Sequence, residues 1–208
     1  MAIRQGRLDQ RTILQGARAV LDQTGLDGFT TRALASHLNV QQPALYWHFK
    51  TKAALLAALA DDILVREHHA SMPEDDEAWD GFVLRNARSF REALLAVRDG
   101  ARLHAEYHGR PELAEVAGLP EGPRRQVALL TGQGFSEADA VDTLIAVGRY
   151  TVGVVLEEQA QEDKTGPGAE GGRAEEVKQF EFGLNALIRG AAPTGPSRTE
   201  RNSGTQDE

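Results

Sequence analysis

The sequence predicts an all-α protein with a small three-helix head and a larger helical body. Three observations carry that expectation. Apolar residues recur at helical spacing along most of the chain, as in Ile13, Ala17, Val20 and Leu21 or Phe82, Val83, Ala87 and Phe90. No segment shows a strand-like pattern, and neither an internal repeat nor a low-complexity block stands out. Third, residues 30–52, TTRALASHLNVQQPALYWHFKTK, read as two short helices meeting at a tight turn.

The first helix should cover residues 8–24, with Gly25 ending it, and pack across the pair in residues 30–52. Thr30 or Thr31 can cap the next helix, because a hydroxyl accepts one of the orphan N–H groups there. Ala33, Leu34, Leu38 and Val40 give this pair its inner face. Asn39 sits where the chain reverses and tolerates a left-handed backbone, and Pro43 falls in the first turn of the following helix, where its missing N–H costs little. A connecting helix follows Thr51 to about residue 71, with Leu55, Leu56, Leu59, Ile63 and Leu64 on one side, before a Pro73-containing acidic loop.

The body continues with helices over 79–97 and 101–107, a turn at Gly109-Arg110-Pro111, and a brief helix over 112–117. Residues 126–132 form the core of another helix. Ser136 caps the most apolar one, which extends through Leu156 and includes Gly148 and Gly153, suited to close helix approach. Residues 160–174 read as a glycine-rich loop, 175–189 as the last helix, and the polar stretch from Gly190 as a disordered tail. The expected division is a head of residues 1–52, a body of 53–190 and a tail of 191–208.

Charge follows the same division. The net charge is −8, but residues 1–52 hold seven Lys/Arg against three acids, a net +4 that leaves −12 on the remainder. A basic head on an acidic body suits a nucleic-acid-binding module joined to a regulatory domain. There is no cysteine, which excludes disulfides and thiolate metal sites. No apolar run opens the chain and none is long enough to cross a bilayer, so the expectation is a cytoplasmic protein without membrane contact.

Tyr46, Trp47 and His48 are consecutive, so they point in three directions around a short helix and cannot all be buried. With Lys50 and Lys52 beside them they form a surface suited to phosphates, while Gln41 and Gln42 bring amides able to pair with a base edge. A solvated helix whose Tyr and Trp merely close the core fits this pattern less well than a helix-turn-helix on DNA. In the body, residue chemistry alone marks no site: HExxH, a Ser-His-Asp set and paired carboxylates are all missing, and a lone histidine such as His68 is more often a boundary residue than a ligand contact.

LDGFTTRALASHLNV and QQPALYWHFKTKAALLAAL resemble the DNA-binding domain of the tetracycline-repressor family; WDGFVLRNARSFREALLAVRDGARLH and QGFSEADAVDTLIAVGRYTVGVVLEEQ resemble its ligand-binding core. The resemblance implies a homodimeric repressor of double-stranded palindromic operator DNA, released by a Mg2+-chelated tetracycline or similar polycycle, and not an enzyme. The DNA-contacting set it implies is Thr31, Arg32, Gln42, Pro43, Ala44, Tyr46, Trp47, His48 and Lys52. For the inducer it implies His68 and Asn86 on the polar edge of the drug, Phe90 packed on it, Gln126 on a further oxygen, and Arg110 and Pro111 beside the pocket. His104 would be the direct metal ligand, and Glu157 would hold metal-bound water across the dimer.

This chain also departs from the family. Ala-Glu-Tyr-His-Gly, between His104 and Arg110, makes that link two residues longer than the family's and lacks the threonine that precedes its Arg-Pro pair. Arg149 stands where the family usually has histidine, and Ala44 replaces a threonine. Two other readings follow: a repressor of the same architecture induced by a metal-free compound, and, more remotely, a metal-dependent enzyme using His68, His104 and Glu157.

Overall fold

The computed structural model describes residues 8–108, 116–165 and 172–193. Among them are nine α-helices, a single 3-10 turn at Val116–Gly118, and no strand. The helices are α1 (Gln10–Gly28), α2 (Thr31–His37), α3 (Gln42–Tyr46), α4 (Lys52–Glu67), α5 (Trp79–Leu95), α6 (Gly100–Tyr107), α7 (Glu121–Gly132), α8 (Glu137–Thr165) and α9 (Gly172–Ala191).

The N-terminal helices start where side-chain oxygens meet orphan N–H groups. Asp9 accepts from Thr12 N, Thr30 from Ala33 N and Thr51 from Ala54 N. Asn39 takes the left-handed conformation between α2 and α3 (φ 53°), as its position in the turn requires. Ser136 likewise accepts from Asp139 N at the start of α8.

Apolar residues among those described form three clusters. One gathers Ile13, Leu21, Phe29, Leu34, Leu45 and Phe49 with the α4 residues Leu55, Leu59 and Ile63, and takes in Val97 and Leu103 from the body. The second joins α5, α7, α8 and α9 around Phe82, Leu130 and Phe180. The third, Leu94, Ala101 and Val155, lies where α5, α6 and α8 meet. Helix α4 therefore shares its apolar face between head and body.

Several boundaries differ from the sequence expectation. Helix α1 does not stop at Gly25: that glycine adopts φ 66° and kinks the helix, and one more turn follows because Asp99 Oδ2 accepts the Leu26 N–H at 2.6 Å. Helix α4 ends at Glu67, where His68 leaves helical geometry, and α7 begins at Glu121, so Gln126 lies inside it rather than opening it. Helix α8 runs on through Thr165 and α9 begins at Gly172, so the predicted loop over 160–174 is too long at both ends. Gly148 and Gly153 do not mediate close packing within one chain, since nothing lies within 4 Å of where a Cβ would sit. That role falls to Gly183, against whose backbone Tyr150 packs. Arg4, Arg7, Arg110, Pro111 and most of the expected tail lie outside the described residues.

Candidate functional site

The head turns Tyr46, at the end of α3, and Trp47, just after it, outward. Trp47 is 82% exposed and Tyr46 41%, while His48 is half-buried and Leu45 and Phe49 anchor the segment in the core. Arg32, Pro43, Lys50 and Lys52 are exposed; Thr31, Gln42 and Ala44 are half-buried. Two of these groups also brace the fold. Gln42 Nε2 donates to Thr31 Oγ1 at 2.7 Å, tying α3 to α2. Lys52 Nζ donates to the Phe29 carbonyl at 2.7 Å and sits 5.7 Å from the centre of the Phe29 ring.

In the body, His68, Asn86, Phe90, His104 and Gln126 gather along α5 and the segment that ends α4. Four rings follow one another: His68 to Phe90 (centroids 5.5 Å), Phe90 edge-on to His104 (5.0 Å), and His104 stacked on His108 (4.4 Å, 19° between planes). The polar side chains stitch residues 68–71 to the helices beside them. His68 Nε2 reaches the Asn86 carbonyl at 3.2 Å, Asn86 Nδ2 donates to the Ala70 carbonyl at 3.2 Å, and Gln126 Nε2 donates to the Ser71 carbonyl at 2.7 Å.

His104 is the exception, because its Nδ1 is buried without a hydrogen-bond partner among the described residues. Burial first, then the neighbouring His108 and His68, push its pKa from 6.5 to about 4. Burial also lowers that of His68, against the raising effect of the Asn86 carbonyl. Both imidazoles are therefore neutral near pH 7 and offer lone pairs to a metal or a donor. Among the described residues no group of three or more His, Asp or Glu forms a metal cage.

Glu157 is exposed on α8, in a groove of about 390 Å3 between α8 and α9 that it lines with Tyr150, Glu158 and Glu176. None of the ring-cluster residues lines that groove. The structure thus brings together five of the expected ligand residues and leaves Glu157 apart from them within one chain. A larger groove, about 490 Å3, lies further along α8 and α9 beside Asp139, Thr143 and Leu187.

Sequence reasoning missed several residues that shape the cluster. His108 lies one helical turn after His104, and its Nδ1 is 2.8 Å from Asp61 Oδ1 of α4. Its spacing in HAEYH was the available signal. Ser89 accepts the Ala70 N–H, and the Gln159 amide clamps the junction of α5 and α6 through the Leu94 and Val97 carbonyls and the Ala101 N–H. That junction meets the head: Arg102 pairs with Asp27, and Arg18 donates to the Ala96 carbonyl and pairs with Glu67.

Comparison with known proteins places this architecture. The profile described as bacterial regulatory proteins, tetR family, matches residues 13–59, and that of the tetracyclin repressor-like C-terminal domain matches residues 72–179. The tetracycline repressor protein class A from transposon 1721 of Escherichia coli is 45% identical over 186 residues, 89% of this chain and 80% of the relative. The chain belongs to the tetracycline-repressor family.

Solved structures agree with that membership. TetR from Acinetobacter baumannii AYE superposes with a TM-score of 0.75 at 42% identity, covering 88% of this chain and 96% of that one. TetR class A in complex with 5a,6-anhydrotetracycline and magnesium gives 0.74 at 42%, covering 89% and 98%. These relatives are transcriptional regulators, and α2 and α3 of this family member lie within the matched N-terminal regulatory domain. No helix among the described residues is long and apolar enough to cross a membrane.

Proposed function

We propose that this chain is a homodimeric repressor of palindromic operator DNA whose inducer is a Mg2+-chelated tetracycline or a similar polycycle. The observation that carries the inducer assignment is the buried, partnerless Nδ1 of a neutral His104, set in a wall of rings beside His68, Asn86 and Gln126. An unsatisfied buried polar atom in a native structure calls for an explanation, and an ion that arrives with the ligand is one. One imidazole donor fits Mg2+, a hard cation that keeps several waters and takes few protein ligands. Its bound form would supply a positive centre for His104 to hold, with Glu157 reaching metal-bound water across the dimer. His68, Asn86 and Gln126 orient the polar edge of the polycycle, and Phe90 packs against it. A relative solved with anhydrotetracycline and magnesium supports the same choice.

Residues 1–52 form the DNA-binding head, with Gln42 and Ala44 toward base edges and Thr31, Arg32, Pro43, Tyr46, Trp47, His48 and Lys52 on the sugar-phosphate backbone. Residues 53–190 take the inducer and dimerise. Phe182 is 79% exposed and Val177 41% on α9, with Leu156 36% exposed on α8, which leaves an apolar surface for a second copy to cover as a four-helix bundle. No catalytic step is part of this function, and the protein acts in the cytoplasm.

The test is a fluorescence titration of tetracycline into the purified dimer with and without Mg2+. A parallel gel shift would use DNA that the protein itself selects from a random pool. Mg2+-dependent binding with release of DNA supports the proposal. Tetracycline binding that is unchanged by EDTA would replace it with a metal-free inducer, and no binding at all would overturn the ligand class.

A further inference from the structure

We propose that His108 is a positioning residue for His104. Held by Asp61 on α4, the His108 ring fixes the His104 imidazole in the orientation that receives the metal-bound inducer. The inference rests on the proposed function and extends its site into the segment after α6.

The geometry carries the argument. A metal-binding histidine is ordinarily oriented by a hydrogen bond to its other ring nitrogen or by groups packed on the ring. Among the described residues no hydrogen bond holds either ring nitrogen of His104, so packing has that task. The imidazole meets Phe90 at 71° and a 5.0 Å centroid distance and carries His108 nearly parallel at 4.4 Å. Offset stacking and an edge contact are both favourable aromatic arrangements, and together they restrict ring rotation.

His108 is itself fixed from two directions. Its backbone N–H donates to the His104 carbonyl at 3.0 Å, and its Nδ1 lies 2.8 Å from Asp61 Oδ1. Tyr107, just before it, packs on the apolar cluster of α1 to α4. The end of α6 is thereby bound to the helix that leads to the head.

A plain surface ion pair is the competing account. With side-chain exposures of 33% and 62%, the His108–Asp61 pair contributes little to stability. The two accounts therefore differ in what its loss changes. Loss of an ornamental ion pair leaves the His104 ring and its metal response as they were. Loss of a positioning contact alters both while the fold stays intact.

The experiment compares the full-length dimer with His108→Ala, His108→Phe and Asp61→Asn. Imidazole 15N–1H correlation spectra of the ligand-free proteins report the His104 ring directly. His108→Ala should average or broaden that signal, His108→Phe should restore it by keeping a ring on the stack, and Asp61→Asn should lie between. In tetracycline titrations with graded Mg2+, the half-saturating Mg2+ concentration should rise about tenfold in His108→Ala, the low end of losses behind a metal-binding histidine. Tm and DNA affinity should stay at wild-type values. An unchanged His104 signal or Mg2+ midpoint in His108→Ala overturns the proposal, as does a parallel loss of Tm and DNA affinity. If the wild type itself shows no Mg2+-dependent binding, the proposed function falls, while the imidazole spectra still decide whether His108 orients His104.

Discussion

Acid should destabilise this protein through His104, and replacing that residue with Phe should remove the effect. Burial, aided by His108 and His68, lowers the imidazole pKa from 6.5 to about 4 in the folded chain. The unfolded chain then binds the proton more tightly than the native one. The stabilisation is therefore fully present above the unfolded pKa and is lost as pH falls through it, levelling off once the folded pKa is passed. The whole gap corresponds to about 3 kcal/mol per chain. Between about pH 7.5 and about pH 5 the same linkage removes about 2 kcal/mol. His104→Phe keeps a ring against Phe90 and His108 but carries no proton. Urea unfolding at a series of pH values and one fixed protein concentration gives the comparison, because a dimer's stability depends on concentration. The wild type should lose more stability across that window than the variant, the excess being about one proton per chain in slope. A residual slope is expected in both, since His68 is shifted in the same direction. Equal losses in wild type and variant would mean that the native imidazole is already able to charge, and the argument for a neutral His104 would fail.

Three other outcomes follow from particular contacts. Arg91 and Glu158 form an ion pair with side chains only 9% and 6% exposed, burial pushing the Glu158 carboxyl up against the pull of Arg91. Glu158→Ala should cost about 3–5 kcal/mol in urea unfolding, while Arg91→Met with Glu158→Leu should fall close to wild type; additive losses would contradict this. A Cβ at Gly100 would overlap the Leu94 carbonyl oxygen, so Gly100→Ala should lose about 1–3 kcal/mol by thermal unfolding, and an unchanged Tm would refute the close approach. Lys52→Ala should weaken binding to every DNA sequence and reduce the salt slope by about 1, whereas Gln42→Ala should alter sequence preference; a specificity change with an unaltered salt slope in Lys52→Ala would exchange their roles.

The fold was readable where local chemistry decides it. Thr30, Thr51 and Ser136 cap helices at the expected places, and Asn39 occupies the turn it was expected to occupy. Boundaries failed where a distant group intervenes. The extra turn of α1 beyond Gly25 depends on Asp99, which is 73 positions further along the chain from Leu26, and no local pattern contains that bond. The glycines of 160–174 suggested a loop, yet the charged residues at its start extend α8, since one turn added to an existing helix has no nucleation cost. In the site, His68, Asn86, Phe90 and His104 came from family resemblance, and residue chemistry alone could not distinguish them from boundary polar groups. Their assembly by α4, α5 and α6 is a tertiary fact. Asp61 and His108 show this most plainly: they are 47 positions apart and meet only because α6 packs along α4.

On the proposed function, three of the inducer-binding side chains already hold the protein's own backbone. His68, Asn86 and Gln126 hold residues 68–71 against α5 and α7 through the Asn86, Ala70 and Ser71 carbonyls. An inducer that takes these hydrogen bonds exchanges them, so each contributes only the modest net value of a substituted bond. The exchange also frees the end of α4 from its fastenings. Leu55, Leu56 and Leu59 in the other half of that helix are packed with Leu21, Phe29 and Leu45 of the head, so α4 cannot shift at one end without moving the other. The junction of α5 and α6 opposes that movement through Asp99 on Leu26 and Arg102 on Asp27. Inducer and DNA then compete for arrangements of a single helix. A ligand moves that balance only by its difference in affinity for the two arrangements, typically about 1–3 kcal/mol of coupling. Side chains that must release the protein backbone before they can hold the ligand supply such a difference, because they can satisfy only one of the two arrangements.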